Sequence, residues 1–351
     1  MKFTLNLLLL LTASLIFIQG CYRDEILTPT NPSNQPHKFG VYVLSEGRGL
    51  TDQSALSFLS FYNDDFSYNI TFPTYLGLYP DGIINYNSTT LYVTERGSAN
   101  GPGKIYKIDT NGIILASNNI GLNPYSITAN NGKAYCTNGP DSSVSVVDLN
   151  SLSEIKRIKV GLYPQEILAL NNRVFVANTK ITGGGTDSSI SVIDAISDTQ
   201  IDKFKVNISP SSLAISKDGF LLAGTSGNGG MIYKINPVTY SKIDSFFVNS
   251  ITIKDINVDY NSNYVYFISN NNSIVQLDVG TKAFTTIITS TVANPLSYVN
   301  GYAFDVKNRK HYLADAKDFS SYGYLYKYNS ASRIESGYQT GIDPRRILIR
   351  N

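Results

Sequence analysis

A short alternating apolar run that ends on Asp or Asn recurs seven times along this chain of 351 residues. The runs read LSFYN, IYKID, VSVVD, ISVID, IYKIN, IVQLD and LYKYN, and they end at Asn63, Asp109, Asp148, Asp194, Asn236, Asp278 and Asn329. By subtraction, successive end points lie 46, 39, 46, 42, 42 and 51 residues apart. Self-similarity at such a period indicates an array of one supersecondary unit. The alternation within each run indicates that the unit is built of strands.

Each unit contains four strand candidates with turn signals between them. The second unit reads GKIYKID, IILASNN, YSITAN and KAYCTN. Residues 109–112 (DTNG) and Asn131-Gly132 are typical turn sequences that would join antiparallel neighbours. The abundance of Tyr, with 25 residues, also favours strands, and no window shows sustained helical periodicity. Four-stranded antiparallel units repeated around a ring predict an all-β protein, a β-propeller.

The two ends of the chain indicate that the ring is closed. The last unit supplies YLYKYN, RIESGYQT and RRILIR, and then lacks a fourth strand. The first strand candidate, residues 41–45, has no partner in the first unit, and VYVLSE resembles the missing strand. Joining this N-terminal strand to the C-terminal blade would remove two sheet edges, whereas an open solenoid would need a cap at each end. We therefore predict a seven-bladed β-propeller over residues 40–351.

The segment before the propeller indicates export and anchoring. Residues 1–20 combine Lys2 with an apolar run that ends at Ile18, as in a secretory signal peptide. The sequence Ile18-Gln19-Gly20-Cys21 resembles a bacterial lipobox, which implies cleavage before Cys21 and lipidation of that residue. A transmembrane anchor is disfavoured, because the apolar run covers only residues 3–18, whereas a spanning helix needs roughly 20 apolar residues. Residues 21–39 are rich in Pro, Asn, Thr and Ser, as in a flexible tether.

The tether begins with the charged cluster YRDE (22–25), which looks like the surface-export signal of some Gram-negative lipoproteins, although any solvated linker could carry it. We therefore expect a cell-envelope protein that is lipid-anchored in the outer membrane and exposed at the surface. The lipid would be its only contact with the membrane.

The composition argues against several function classes. The formal net charge is +2 and no basic run exceeds Arg345-Arg346, so we expect no nucleic-acid partner. The two histidines, His37 in the tether and His311 in the domain, cannot form a His-based metal site or supply a well-placed catalytic base. Cys136 has no second thiol in the domain and is expected to be a small buried hydrophobe. We expect no metal and no cofactor.

One face of the predicted propeller carries the candidate site. With strands A to D running outward from the axis, the D–A and B–C loops share this face, called here the loop face. The D–A loops repeat a frame, GLYP (77–80), GLNP (121–124), GLYP (161–164), NISP (207–210) and GIDP (341–344), in which Gly and Pro are expected to set a bend. The positions after it vary and would form a polar ring around the axis: Asp81, Tyr125, Gln165, Glu166, Ser211, Ser212, Lys254, Asp255, Arg345 and Arg346. Glu166 is expected to pair with an Arg.

The B–C loops are the long ones, at 45–55, 94–103, 178–189 and 315–323. Long loops on a rigid scaffold often carry recognition, although exposed tips also tolerate insertion for no functional reason. The residues expected to line this rim are Glu46, Arg48, Glu95, Arg96, Asn138, Asn178 and Asp315.

Two units, residues 143–178 and 189–224, resemble the YncE-like, surface-layer-type seven-bladed propellers, and the resemblance extends over residues 40–351. The opening VYVLSEG with SALSFLSFYN looks like the surface lipoprotein branch of that family. This branch includes propellers of gut bacteria that capture cobalamin for an outer-membrane transporter, so the resemblance implies a corrinoid as one candidate ligand. Streptogramin-lyase propellers share the fold but use a catalytic His, and this chain has no matching one.

The resulting hypothesis is a non-catalytic, monomeric binding domain. Its ligand would be a small molecule such as a corrinoid, a glycan, or an envelope protein such as an outer-membrane transporter. The predicted ligand-binding residues are Asp81, Glu95, Arg96, Tyr125, Asn138, Gln165, Glu166, Asn178, Lys254, Asp255, Asp315, Arg345 and Arg346, with Tyr75 and Tyr163 beside Tyr125 at the mouth. The alternatives are a structural or adhesion scaffold, and a lyase or hydrolase that would use Asp81, Glu166 or Asp255.

Overall fold

A computed structural model of the protein describes residues 39–99, 101–180, 185–207, 209–227, 229–248 and 252–351. The signal peptide, Cys21, His37 and all of the tether except Phe39 lie outside the described residues. Within the described ranges, the chain forms strands and a single 3₁₀ turn at Asn270–Asn272, as the absence of helical periodicity predicts. No helix in this part of the chain has the length and apolar character that crossing a bilayer requires.

The strands are short and follow one another with few irregular segments. In chain order they are β1 (Gly40–Ser45), β2 (Ala55–Ser60), β3 (Phe66–Ser67), β4 (Pro80–Asn85), β5 (Thr90–Glu95), β6 (Pro102–Asp109), β7 (Ile114–Leu122), β8 (Pro124–Asn130), β9 (Lys133–Asn138), β10 (Ser143–Asp148), β11 (Glu154–Lys159), β12 (Pro164–Leu170), β13 (Arg173–Lys180), β14 (Thr186–Asp194), β15 (Thr199–Lys205), β16 (Pro210–Ile215), β17 (Leu221–Thr225), β18 (Gly230–Ile235), β19 (Lys242–Val248), β20 (Lys254–Val258), β21 (Tyr264–Ser269), β22 (Ser273–Asp278), β23 (Phe284–Ile288), β24 (Val299–Asp305), β25 (Lys310–Asp315), β26 (Tyr322–Tyr328), β27 (Ile334–Ile342) and β28 (Pro344–Arg350).

These strands form seven antiparallel sheets of four, which confirms the predicted seven-bladed propeller. Blade 1 has the order β28-β1-β2-β3, and blades 2 to 7 take the next four strands in turn, from β4–β7 to β24–β27. The first strand of each blade is innermost, and each innermost strand contacts those of both neighbouring blades around the axis.

The ring closes as the sequence predicts. In blade 1, β1 pairs antiparallel with β28, and Val41 lies opposite Ile349 while Val43 lies opposite Ile347. The sequence repeat, however, is offset from the blade by two strands. The second unit was expected to form one blade, but its first two strands (β6 and β7) belong to blade 2 and its last two (β8 and β9) belong to blade 3. The repeated run is the third strand of a blade, so blade 1 takes three strands from the N-terminus and only β28 from the C-terminus.

The recurring Asp or Asn closes the turn between the third and the outermost strand. Asn236 Oδ1 accepts hydrogen bonds from the backbone N–H groups of Val238 and Thr239, at 2.8 and 3.0 Å. The same side-chain-to-backbone bond two residues ahead is made by all seven residues at this position. This turn chemistry explains why every run ends on one of these two residue types.

The apolar core lies between the blades. Each of seven hydrophobic clusters joins two neighbouring blades. Between blades 1 and 2, for example, Tyr42 and Leu44 pack with Leu91 and Val93. Cys136 is buried between blades 2 and 3, where burial raises the pKa of its thiol, so its assignment as a small hydrophobe is confirmed. With the core in the interfaces between blades, polar side chains can occupy the axis.

Candidate functional site

Every innermost strand has a β-bulge immediately after its first residue. In β4, for example, Pro80 lies opposite Glu95 and Gly82 opposite Thr94, so Asp81 is the extra residue. The bulged positions are Asp81, Tyr125–Ser126, Gln165–Glu166, Ser211, Asp255–Ile256, Asn300 and Arg345. A bulge re-aims a side chain out of the regular alternation. The positions that vary between repeats are therefore the ones that the bulges redirect.

The residue before proline in the D–A loops has a left-handed backbone. Its φ lies between 46° and 54° in all five loops that contain the Pro, at Tyr79, Asn123, Tyr163, Ser209 and Asp343. The Gly and Pro of the frame were predicted to set this bend, and the residue before the Pro also takes part in it. Non-glycine residues in this region cost of order 1–3 kcal/mol each, and they persist where the surrounding structure holds them.

Charged side chains from several blades meet at the loop-face end of the axis. Arg345 Nε lies 2.7 Å from Asp81 Oδ1 and 3.2 Å from Glu46 Oε1, while Arg96 forms an ion pair with Glu46. Arg346 Nη2 lies 2.6 Å from Glu166 Oε1, and its Nη1 lies 3.9 Å from Asp255 Oδ1. The expected pairing of Glu166 with an Arg is thus present. We call these seven residues the axial cluster: Glu46, Asp81, Arg96, Glu166, Asp255, Arg345 and Arg346.

Burial and charge act in opposite directions on the two central carboxylates. Burial by itself would raise the pKa of Asp81, but the positive charges of Arg345, Arg346 and Arg96 outweigh it and hold the pKa below its ordinary value. For Glu46 burial dominates over the attraction of Arg345 and raises the pKa to about 7. Glu46 Oε1, Asp81 Oδ2 and Arg96 Nε are buried and make ion-pair contacts without a well-formed hydrogen bond among the described residues. Glu46 Oε1 lies 3.2 Å from Arg345 Nε, and Asp81 Oδ2 lies 3.6 Å from Arg96 Nε. The centre of the cluster therefore contains both donor and acceptor atoms that are not fully satisfied.

An aromatic wall adjoins the axial cluster on the side of blades 2 to 4. The Arg96 guanidinium carbon lies 5.3 Å from the ring centroid of Tyr79 and 5.0 Å from that of Tyr125. The hydroxyls of Tyr125 and Tyr163 are 2.6 Å apart. Tyr79 was missed in the sequence, although it holds the same place in its GLYP loop as Tyr163. Tyr75 belongs to a different group, because it lies near Tyr68, which packs against Tyr322.

A cavity of about 390 Å³ opens on the loop face between blades 6 and 7, and Lys254 lines it. Lys254 Nζ donates to both the backbone oxygen and Oδ1 of Asn300, at 2.6 Å each. Burial lowers the pKa of Lys254 to about 8, and the nearby charge of Arg345 acts in the same direction. Asn300 was also missed in the sequence. What marks it as a site residue is its place at the bulge of the innermost strand of blade 7. A larger cavity of about 470 Å³ lies on the opposite face, between blades 5 and 6.

Four predicted rim residues do not line the exposed rim. Glu95, Asn138, Asn178 and Asp315 are each the last or nearly the last residue of a second strand, and all four are buried. Glu95 Oε1 accepts a hydrogen bond from the Leu78 backbone N–H at 2.8 Å.

The other three are held in a similar way. Asp315 Oδ1 accepts from the Tyr298 backbone N–H at 2.8 Å, and a Cβ on Gly121 would lie 1.9 Å from Asn138 Oδ1. The amide of Asn178 donates to Ser189 and Ser191 in β14, and its side chain lies against Gly161 of the D–A loop, where an added Cβ would come within 2.4 Å. These side chains support the D–A loop of their own blade, so the prediction that they line the rim is wrong.

The remaining predicted residues differ in their surroundings. Arg48 is exposed on the loop after β1. Gln165 contributes its backbone oxygen, which accepts a hydrogen bond from Thr137 Oγ1 at 2.8 Å.

His311 is a core residue. It begins the second strand of blade 7, so it lies toward the opposite face as the sequence predicts, and its Nδ1 lies 2.8 Å from the Tyr302 hydroxyl. Burial lowers its pKa to about 4, which keeps the ring neutral. Among the described residues, no group of three or more His, Cys, Asp or Glu is arranged to hold a metal ion.

No protein-family model and no curated protein matches this sequence. Solved structures do match. A hydrazine synthase from Kuenenia stuttgartiensis aligns with a TM-score of 0.66 and 16% identity, over 76% of this chain and 88% of that chain. A quinonprotein alcohol dehydrogenase-like protein from Bacteroides thetaiotaomicron aligns with a TM-score of 0.69 and 15% identity, over 91% of this chain and 80% of that one.

The chain has the seven-bladed β-propeller fold. At these identities the two matches concern the fold alone, because one propeller fold hosts many functions. The surface-layer-type family and the corrinoid ligand remain predictions from the sequence resemblance.

Proposed function

We propose that this protein is a non-catalytic, lipid-anchored protein of the bacterial outer-membrane surface that binds a ligand on its loop face. The observation that carries the proposal is the convergence around Arg96. Its guanidinium lies beside the rings of Tyr79 and Tyr125 and next to the carboxylates of Glu46 and Asp81. Aromatic surface combined with a few polar groups that are not fully satisfied is typical of small-molecule sites.

The path of the chain supports presentation of this face. Strand β1 runs from Gly40 on the opposite face, where it pairs with Arg350, to Ser45 on the loop face. A tether from a lipid at Cys21 would therefore join the propeller on the side away from the axial cluster. The ligand-binding face would then point away from the attachment point.

The axial carboxylates favour binding over catalysis. A glycosidase needs a carboxylic acid with a raised pKa facing a second carboxylate. Burial raises the pKa of Glu46 to about 7 and also raises that of Asp255, but arginines engage both of them, as they engage Asp81 and Glu166. With His311 in the core of blade 7, the lyase or hydrolase alternative has weaker support.

The size of the cavity constrains how a corrinoid would bind. At about 390 Å³ the cavity beside Lys254 lies near the lower end of the range of about 300–1,000 Å³ for ligand pockets. A molecule as large as a corrinoid would lie across the face, with its flat ring against Tyr79 and Tyr125. A smaller ligand would fit inside the cavity.

The test is calorimetry on the mature protein with panels of corrinoids and sugars. We expect at least one ligand to bind, and Arg96→Ala or Tyr125→Ala to weaken a ligand that lies across the face. Tyr62→Ala is the control, because Tyr62 is 97% exposed near the opposite face. Absence of heat and of any shift in melting temperature with both panels would reject the proposal.

A scaffold function is the second candidate, and a separate observation favours it. Large apolar side chains are exposed near the turns that lead into the outermost strands, at Ile113, Ile155, Ile196 and Val238. Contiguous apolar patches mark protein contacts, and these four side chains recur once per blade on the consecutive blades 2 to 5. In this case the double substitution Ile196→Lys with Val238→Lys would abolish partner pull-down, whereas Arg96→Ala would leave it unchanged.

A further inference from the structure

The cavity between blades 6 and 7 combines apolar and polar walls. Ile268 and Val299 line it although each is only 3% exposed, and Tyr298 provides an aromatic ring that is 44% exposed. The ring of Phe319 packs edge-on against Tyr298 at a centroid distance of 4.5 Å, which holds the Tyr298 ring in place. One wall can therefore contact a flat apolar surface of a ligand.

The opposite wall presents polar groups with unused hydrogen-bonding capacity. An ammonium has three N–H donors, and Lys254 uses two of them on Asn300. The side-chain amides of Asn270 and Asn271 make no hydrogen bond within the described part of the chain. Asn272 differs, because its amide is committed to Val299 N–H and Ser297 O, at 3.0 and 2.7 Å.

The charge of the cavity selects the ligand further. Among the described residues that line it, Lys254 is the one charged side chain, and none carries a carboxylate. A ligand that offers several hydroxyls, one apolar ring face and one negative charge would match these walls. A single ammonium suits a carboxylate, whereas phosphate sites usually combine several N–H donors.

We propose that this cavity binds a single sugar unit that carries a carboxylate, a sugar acid. Lys254 would hold the carboxylate, Asn270 and Asn271 would bond to ring hydroxyls, and Tyr298 would pack against the apolar face of the ring. This inference rests on the proposed loop-face binding and specifies the class of ligand.

The environment of Lys254 adds a pH dependence. The charged groups that act on its ammonium include Arg345, Arg346, Asp255 and Asp81, which belong to blades 1, 2 and 6, and Asp343 in the loop before β28. Because burial and the arginines lower the pKa of Lys254 to about 8, the ammonium loses its proton as the pH rises through that value. Binding of a carboxylate sugar therefore weakens over this range, and binding of a neutral sugar does not.

The experiment compares D-glucuronate with D-glucose, which carries a neutral CH₂OH group in place of the carboxylate, in NMR-detected titrations of the mature protein. We expect glucuronate to bind more tightly at about pH 6.5, and to lose this advantage at about pH 9.5. Lys254→Gln should weaken the binding of glucuronate by about tenfold and the binding of glucose little, whereas Tyr298→Ala should weaken the binding of both sugars.

Two further variants keep the test independent of folding. Asn271→Gly removes an exposed amide and retains the left-handed backbone of that position, so the protein should stay folded. The substitution should therefore weaken the binding of both sugars without unfolding the protein. Lys159→Gln changes a lysine that is 73% exposed on the side of blade 3, so it should leave binding unchanged. Methyl glucuronide distinguishes the source: retained binding supports a unit within a glycan chain, and binding of the free acid alone supports a free sugar acid.

Several outcomes would overturn the inference. These are absence of glucuronate binding, equal affinity for glucose, tighter binding of glucose 6-phosphate, or glucuronate binding that survives both Lys254→Gln and Asn271→Gly. The proposed function fails separately, when no compound of either panel binds. This inference alone would be rejected if a corrinoid bound, if Arg96→Ala weakened that binding, and if no sugar acid bound.

Discussion

Arg346 Nη2 lies 2.6 Å from Glu166 Oε1, although the two residues are carried by blades 1 and 4. Three steps are the largest separation that a ring of seven blades allows, so this ion pair crosses the propeller axis. Arg346 Nε also donates to the Asp81 backbone oxygen in blade 2, at 3.1 Å. The last strand of the chain thereby contributes a side chain that ties together three blades at the loop face.

Removal of this tie should destabilise the whole ring. Arg346→Ala leaves Glu166 without its partner and is expected to lower the free energy of unfolding by about 3 kcal/mol, because both side chains are mostly buried. Urea denaturation measures the change. Lys159→Ala, which removes an exposed ion pair with Asp141, should change stability by less than about 1 kcal/mol. Equal effects of the two substitutions would contradict a structural role for the cross-axis pair.

Glu46 should make stability depend on pH. Burial raises its pKa from 4.5 to about 7, so the folded state holds the proton more tightly than the unfolded state does. Its contribution to the free energy of unfolding is therefore complete below the unfolded pKa and is lost as the pH rises through about 7.

Glu46→Gln tests this sign. We expect the variant to lose less stability than the native chain between about pH 5 and about pH 8, as measured by urea midpoints. Asp52→Asn, at an exposed position on the same loop, is the control and should follow the native chain. Parallel curves for Glu46→Gln and the native chain would show that Glu46 is ionised throughout.

Closure of the ring can be tested with a disulfide between the two ends of the chain. Val43 lies directly opposite Ile347 in the pairing of β1 with β28. Cysteines at positions 43 and 347 should oxidise to a disulfide and stabilise the fold by up to about 5 kcal/mol, because the bridge closes a very long loop.

The melting temperature with and without reductant measures the effect of the bridge. Cysteines at positions 43 and 348 are the register control, since successive side chains point to opposite faces of a sheet. If the 43–348 pair cross-linked as readily as the 43–347 pair, the pairing of β1 with β28 would have to be revised.

The turn residue that ends each repeat should contribute to stability through its side-chain oxygen. Asn236→Ala removes two hydrogen bonds to backbone N–H groups and is expected to cost about 1 kcal/mol in chemical denaturation. Asn236→Asp retains an oxygen at the same place, as in the equivalent turn at Asp278, and should restore most of the loss. If both variants were equally destabilised, the loss would have to come from the amide NH₂ group.

Much of the fold could be predicted because its signals are local. Strand runs, turn residues such as Asn236, and the unpaired strands at the two ends all follow from short stretches of sequence. The site was predicted only in part. Asp81, Glu166 and Arg346 were recognised because they vary within a constant frame, whereas Tyr79 and Asn300 were passed over because nothing local marks their partners.

A shift of one residue accounts for the main error. Glu95 ends its strand and is buried under a D–A loop, where it bonds to Leu78. Arg96, the next residue, reaches the axial cluster and pairs with Glu46. Both were expected on the same rim, because sequence spacing does not reveal which side of a loop a side chain occupies.

The sequence alone therefore determined the number of blades, the joining of the two ends and the face with the variable residues. These depend on periodicity, turn chemistry and the need to pair sheet edges. Only the tertiary structure decided which side chains meet, as with Arg346 and Glu166, which are 180 residues apart. Such contacts depend on the curvature of the ring and on the bulges of the innermost strands, and neither property is encoded in any one segment.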